Sequence, residues 1–179
     1  MTNLEEKTLE TRTVYQGRIV DLKLKRVELP DEQISMREIV EHTGGAAVVP
    51  YHKDEEKVVL IKQFRKAVEE IVYELPAGLI ERDEEDLKCA QRELEEETGY
   101  QAANFQKLGQ FYTSPGFTDE ILHIYLATNL NKYEQQTDKD EHLEVVEMSL
   151  PEVKEKLAEG YFKDAKTVIG LQYLLQEIN

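Results

Sequence analysis

Between residues 78 and 100 the chain reads GLIERDEEDLKCAQRELEEETGY, and the second half of this stretch has the ends and the stripe of an amphipathic helix. Asp83 is placed to cap its N-terminus, with Glu84, Glu85 and Asp86 where the positive end of the helix dipole favours anions. Gly99 stands where a left-handed residue stops a helix. Leu87, Ala90 and Leu94 fall at i, i+3 and i+7, which makes one apolar stripe. Glu93, Glu96 and Glu97 fall at i, i+3 and i+4, so three carboxylates share a neighbouring face. Anions that close repel one another and disfavour the helix unless something positive sits among them. Arg92 reaches Glu96 at i+4, but one guanidinium does not balance three carboxylates. A hard divalent cation bound through oxygen ligands does. The competing reading is a solvated acidic face, which is natural in a chain with 37 Asp and Glu against 22 Lys and Arg.

The spacing argues against the solvated face. Gly78, five residues, Glu84, seven residues, Arg92-Glu93-Leu94, one residue, Glu96-Glu97, one residue, Gly99-Tyr100 is a fixed pattern of Gly, Arg and apolar positions as well as acids. At every fixed position it resembles the Nudix box, a specific short signature. The resemblance runs from about Gly44 to the end of the chain. It implies an α/β fold, a Nudix α/β/α sandwich around a mixed sheet, with the box as a loop–helix–loop beside it.

Hydrolysis of a phosphoanhydride needs charge neutralised on non-bridging oxygens, an activated water and a stabilised leaving phosphate. Divalent ions supply all three, and Mg²⁺ is the expected cofactor, with Mn²⁺ as a substitute. By resemblance, Glu93 and Glu97 are the principal ligands, Glu96 shares the cluster and its chemistry, and the carbonyl of Ala77 is a further ligand. Glu84 is a lesser metal candidate. Arg92 is expected to orient the glutamates by charge-assisted hydrogen bonds. A further acid from a downstream loop serves such sites as ligand or water-activating base; here Glu141 takes that role, with Asp138 and Asp140 in reserve.

Composition narrows the setting. The net charge is −15 with no block of Lys and Arg, the wrong sign for gripping nucleic-acid phosphates. No apolar run reaches the ~18–20 residues that cross a bilayer, and the polar start MTNLEEKTLETRT is unlike a secretory signal. Cys89 is the only cysteine, so no internal disulfide forms and a cytoplasmic location is expected. A small helical residue, Cys89 reads as packing rather than as a reactive thiol.

In chain order, residues 1–12 read as a loosely attached start. Residues 13–42 alternate with a period of two, as in Val20, Leu22 and Leu24 against Asp21, Lys23 and Lys25, with a turn at Pro30-Asp31. This segment, 1–43, is expected to be a small antiparallel β-sheet. Such a sheet does not bury a face alone and must dock on the main body or on a second subunit. Residues 44–179 are the expected Nudix domain. AAVVPYH and KVVLIKQFR pair around a polar turn, ILHIYLATNL is a buried strand, Ser149 caps a helix with Pro151 in its first turn, and residues 164–178 carry a core-facing helix.

Three features resemble the ADP-ribose pyrophosphatase branch of the family. Pro115 lies sixteen residues beyond Gly99 inside SPGFTDE; VLIKQFR ends in Arg65; and MREIVEHTGGAAVVP joins the N-terminal sheet to the core. The branch implies hydrolysis of ADP-ribose to AMP and ribose 5-phosphate by a homodimer that exchanges its N-terminal sheets. On that analogy Arg37 and Glu38 hold adenine, with Arg18 or Ile19 near the ring. Arg65 meets a phosphate, Pro115 and Gly116 shape the substrate loop, and Glu120 bonds the terminal ribose. The alternatives are hydrolysis of another nucleoside diphosphate sugar, such as GDP-mannose or ADP-glucose, and a non-catalytic ADP-ribose sensor.

Overall fold

The computed structural model describes residues 4–133 and 142–178. It comprises two compact units, one formed by the chain up to Gly44 together with Phe111–Ile121, the other by Gly45–Gln110 and the chain from Leu122 onward.

The first unit carries an antiparallel sheet in the order β1-β2-β3, with β1 at Lys7–Gln16, β2 at Val20–Glu28 and β3 at Ile34–His42. The turn at Pro30-Asp31 is closed by Leu29 N–H donating to the Gln33 carbonyl at 2.8 Å, and Glu32 adopts a positive φ of 64°. Residues 7–12 are not a loose start. They pair along β2 from Lys7 opposite Glu28 to Arg12 opposite Leu24. Thr8, Thr11 and Thr13 favour extended backbone, and Lys7 and Glu10 face Glu28 and Arg26 at 3.8 Å. Val27 is the one buried side chain among these three strands, so the sheet has almost no core of its own. Val14, Tyr15, Ile34 and Met36 are all more than half exposed or close to it.

The second unit is a mixed sheet in the order β10-β5-β4-β9-β8. Its strands are β4 (Gly45–His52), β5 (Lys57–Arg65), β8 (Tyr100–Tyr112, ending in the first unit), β9 (Ile121–Lys132) and β10 (Leu143–Ser149). Short strands β6 (Glu70–Glu74) and β7 (Ala77–Leu79) pair with β5 and β4. β4 runs parallel to β9 and antiparallel to β5, and every residue from Gly45 to Tyr51 is buried. A near-continuous apolar run is what a strand covered on both faces requires. Alternate β4 residues serve the two faces. Ala46 and Val48 cluster with Cys89, Ala90 and Leu94 of helix α1 (Asp86–Thr98). Val49 meets helix α3 (Ala165–Glu177), where a methyl on Gly170 would lie 2.9 Å from Val49 Cγ2 and 2.5 Å from Leu75 Cδ1. Helix α2 (Leu150–Ala158) opens at Ser149, whose hydroxyl accepts from Glu152 N–H, and α3 opens at Asp164, whose carboxylate accepts from Thr167 N–H. Each cap satisfies a donor the helix leaves open.

Candidate active site

Helix α1 begins at Asp86, two residues later than Asp83 as its cap would set it. Glu85 stands at the cap without a side-chain bond, and Asp83 has a φ of 65°, outside the extended geometry of an N-cap. The acids there have other partners. Glu84 accepts from Glu81 N–H at 2.9 Å and from Arg92, while Asp86 ties the first turn to Lys107 of β8. His123 Nδ1 of β9 lies 2.8 Å from Asp86 Oδ2, without the alignment of a hydrogen bond. The other end is as expected: Gly99 takes φ 71° and its N–H donates to the Glu95 carbonyl at 2.8 Å.

Burial argues against a solvated face. Glu93 is 8% exposed and Glu97 only 2%. Carboxylates on a solvated face stay in water, because desolvating an ion costs several kcal/mol unless it is compensated. The apolar stripe drives this burial, since Ala90 and Leu94 are fully enclosed and together pull the acidic face against β7.

Arg92 organises the cluster. Its Nε and Nη2 donate to Glu84 Oε1 and Oε2, each at 3.0 Å. Nη1 donates to Glu93 Oε1 at 2.5 Å and Glu96 Oε2 at 3.1 Å, and Nη2 also reaches the Leu79 carbonyl at 3.1 Å. A planar guanidinium with five donors suits this fork. Glu84's carboxyl is held below its ordinary range by the Arg92 bond first, and the guanidinium is pushed upward by the same Glu84 bond. Glu97 is fixed separately, accepting from Ala77 N–H at 2.8 Å.

Gly78 is required by contact. A Cβ there would sit 1.9 Å from Glu93 Oε1 and 2.2 Å from its Cδ. Glycine therefore lets the carboxylate lie flat against β7. In extended backbone alternate residues point their polar groups to the same side. Ala77 N–H and the Leu79 carbonyl both turn to α1.

The donor set is hard oxygen throughout. Four carboxylates, from Glu84, Glu93, Glu96 and Glu97, against one guanidinium leave three formal negative charges, a surplus that suits divalent cations. Among the described residues no three acidic, histidine or cysteine side chains converge so as to hold a metal ion as they stand, and Arg92 is bonded to Glu84, Glu93 and Glu96. Cys89 is enclosed, and burial first, then Glu93, pushes its thiol up to about 12. It is packing.

The remaining candidates are dispersed. Arg65 is gripped by Glu74, Nε to Oε1 at 2.6 Å and Nη2 to Oε2 at 2.8 Å. Lys166 closes on the same buried carboxylate and lies 3.1 Å from Asp164. Burial alone would raise the Glu74 carboxyl, but Arg65 and Lys166 outweigh it and hold it low. Sequence reasoning missed this knot; its one signal is the alternation that turns Glu74, with Val72, inward. Arg18 and Ile19 line a cleft of about 400 Å³ with Asp21, Glu41 and His42. Arg37 is engaged by Glu6, at 3.0 and 2.5 Å, and by Ser35 Oγ at 2.9 Å. Glu38 lies opposite Leu24 on β2. Along β3, Arg37 and Glu38 lie at least ~13 Å by backbone rise from His42 at that cleft, so in this chain the two pairs are apart. Pro115 and Gly116 occupy a turn closed by Phe117 and Thr118 N–H on the Ser114 carbonyl, and Glu120 accepts from Thr113 Oγ1 at 2.6 Å. Glu141, Asp138 and Asp140 lie outside the described residues.

The family model for the NUDIX domain matches residues 41–169. An ADP-ribose pyrophosphatase of Bacillus subtilis (strain 168) is 45% identical over 176 residues, covering 97% of this chain and 95% of its own length. A methanol dehydrogenase activator of Bacillus methanolicus is 46% identical over the same shares, and a GDP-mannose pyrophosphatase of Cronobacter sakazakii is 37% identical over 77% of this chain and 76% of its own. A crystal structure of an ADP compounds hydrolase superposes with a TM-score of 0.86 over 99% of this chain and 97% of the other, at 22% identity, and so shares the fold. With its box intact and the family match spanning most of its length, this chain belongs to the NUDIX domain family.

Proposed function

We propose that the chain is a divalent-metal-dependent hydrolase of ADP-ribose that yields AMP and ribose 5-phosphate. The observation that carries this reading is the buried pair Glu93 and Glu97, set by Arg92 and by Ala77 N–H, in a chain so similar to an ADP-ribose pyrophosphatase along nearly its whole length. Glu93, Glu96, Glu97 and the Ala77 carbonyl would hold Mg²⁺, or Mn²⁺ in its place. When bound, such an ion neutralises charge on the pyrophosphate and eases loss of a proton from water. Arg92 keeps the carboxylates aimed, Glu141 accepts the proton from the attacking water, Arg65 meets a phosphate, and Glu120 holds the terminal ribose. Arg37, Glu38, Arg18 and Ile19 form the adenine site across two protomers.

We further propose that residues 1–43 are the dimerisation segment of a homodimer and 44–179 the hydrolase domain. The apolar side chains left open on β1 and β3 support this reading. The single cysteine favours a cytoplasmic setting. No helix among the described residues is long and apolar enough to cross a membrane.

A second reading is hydrolysis of GDP-mannose, favoured by the relatives that bear that name. Purified protein incubated with ADP-ribose, ADP-glucose, GDP-mannose and NADH, with Mg²⁺ and with EDTA, separates the two. Preference for ADP-ribose is expected; preference for the mannose nucleotide defeats the first reading, and binding of ADP-ribose without turnover marks a sensor.

A further inference from the structure

The loop after β8 is stitched to the end of β3 within the first unit. Val40 N–H donates to the Phe117 carbonyl at 2.7 Å, Asp119 N–H reaches the Val40 carbonyl at 3.4 Å, and Val40 bridges Thr118 in parallel. His42 adds the last stitch, its N–H donating to Asp119 Oδ1 at 2.9 Å. The next residue in the loop is Glu120.

The ring of His42 is largely enclosed, with 11% of its side chain exposed. Its Nδ1 accepts the Gly44 N–H at 3.0 Å. In this bond Nδ1 serves as the acceptor, with its lone pair toward Gly44. Position 44 suits only glycine. It holds φ at +83°, and a Cβ on it would meet the Ile121 carbonyl oxygen at 2.7 Å. Glu120 Oε1 lies 3.5 Å from the same Nδ1. Glu120 Oε2 is taken by the Thr113 hydroxyl at 2.6 Å, and its backbone carbonyl accepts Thr113 N–H at 3.3 Å. One oxygen of Glu120 is thus fixed by Thr113, while the other rests against a ring that Gly44 holds in place. The lone pair of Nδ1 turned toward Gly44 offers Glu120 a wall and no donor, which leaves Oε1 able to accept from elsewhere.

We propose that His42 is a positioning residue for Glu120: its backbone clamps the loop through Asp119, and its ring, locked by Gly44, sets where Oε1 points for a sugar hydroxyl. The inference rests on the reading of Glu120 as the acceptor from the terminal ribose. It makes His42 a determinant of sugar affinity that touches no substrate itself.

The test compares wild type with H42A, H42N and T113V. Asparagine can present its amide oxygen where Nδ1 stood and so keep the Gly44 bond. Alanine cannot. H42A should raise KM for ADP-ribose about tenfold, the size of one weakened bond to a charged group, with kcat changed less than twofold. That split marks lost binding shared by ground and transition states. H42N should recover most of the loss. Inhibition by ADP, which has no terminal ribose, should be the same in all four proteins. T113V acts on the same carboxylate, so its effect and that of H42A should not add in the double variant.

An unchanged KM in H42A overturns the proposal. So does ADP inhibition that weakens in step with KM, or full additivity of T113V with H42A; should H42A fail to fold, H42Q, whose longer amide does not reach the place of Nδ1, is read in its stead, and an unchanged KM there overturns the proposal equally. Wild-type protein that neither cleaves nor binds ADP-ribose overturns the functional reading and this inference with it. Normal wild-type turnover with indifferent variants overturns this inference alone.

Discussion

Gly78→Ala is the smallest change that addresses the geometry of the cluster. The added Cβ would lie 1.9 Å from Glu93 Oε1, and ordinary contact begins near 3.4 Å, so the carboxylate must retreat by 3.4 − 1.9 = 1.5 Å. The neighbour that must give is the tip of a flexible side chain, so the fold survives. Its retreat breaks the 2.5 Å bond from Arg92 Nη1. Loss of one charge-assisted bond costs about 1.5–3 kcal/mol, which lowers the melting temperature by roughly 3–12 °C in a chain of this size. Activity suffers more, because a displacement of ~1 Å at a positioned group can cost about a hundredfold. Differential scanning fluorimetry and steady-state kinetics on ADP-ribose across a Mg²⁺ titration read both quantities. A folded G78A protein with wild-type kcat and wild-type Mg²⁺ dependence would refute the claim that Glu93 must lie against β7.

Three further outcomes are expected. Glu74→Gln leaves Arg65 and Lys166 facing a neutral group in a largely buried setting; with Arg65 partly exposed, the cost is about 3 kcal/mol, or roughly 6–12 °C in melting temperature. Because the folded protein holds Glu74 below the ordinary carboxylate value, its contribution is complete above the unfolded pKa of about 4.3 and is lost as pH falls through the lower folded value, so E74Q should show a flatter acid limb than wild type in melting curves from pH 6 to 3. Cys89, enclosed and with its thiol pushed up to about 12, should resist iodoacetamide at pH 8 while folded and react fully in denaturant; rapid native labelling followed by mass spectrometry would contradict its packing role. Asp164→Ala removes the cap of α3, where the carboxylate accepts from Thr167 N–H at 3.0 Å and Thr167 Oγ1 at 2.6 Å, and should cost about 1–2 kcal/mol in chemical denaturation; an unchanged midpoint would remove the cap from the account.

The box was legible because its chemistry is local. Spacing along one helix fixes which side chains share a face, and the αL stop at Gly99 is a one-residue signal. The start of the same helix was misplaced because its acids answer to distant partners. Asp86 is bound by Lys107 and Tyr125, Glu84 by Arg92, and Asp83 is left in a turn, none of which the first-turn rule contains. β1 is hidden in the sequence for a related reason: its ten residues are exposed, so no apolar alternation announces a strand, and only the register with β2 holds it. The reason for Gly78 needed coordinates, since the sequence says only that glycine stands there, not that Glu93 fills the space of its missing methyl. The engagement of Arg65 by Glu74 and of Arg37 by Glu6 is likewise a matter of three-dimensional neighbours.

The central claim is that the enclosed glutamates of α1 exist to carry cations to a pyrophosphate. Its most direct test is the rate of ADP-ribose hydrolysis against Mg²⁺ concentration for wild type and for Glu97→Gln, a change of charge with little change of shape at a residue 2% exposed. Wild type should be silent in EDTA and saturate with Mg²⁺, while E97Q, melting within a few degrees of wild type, should turn over at least a hundredfold more slowly. Turnover that persists in EDTA, or an E97Q protein as fast as wild type, would contradict it.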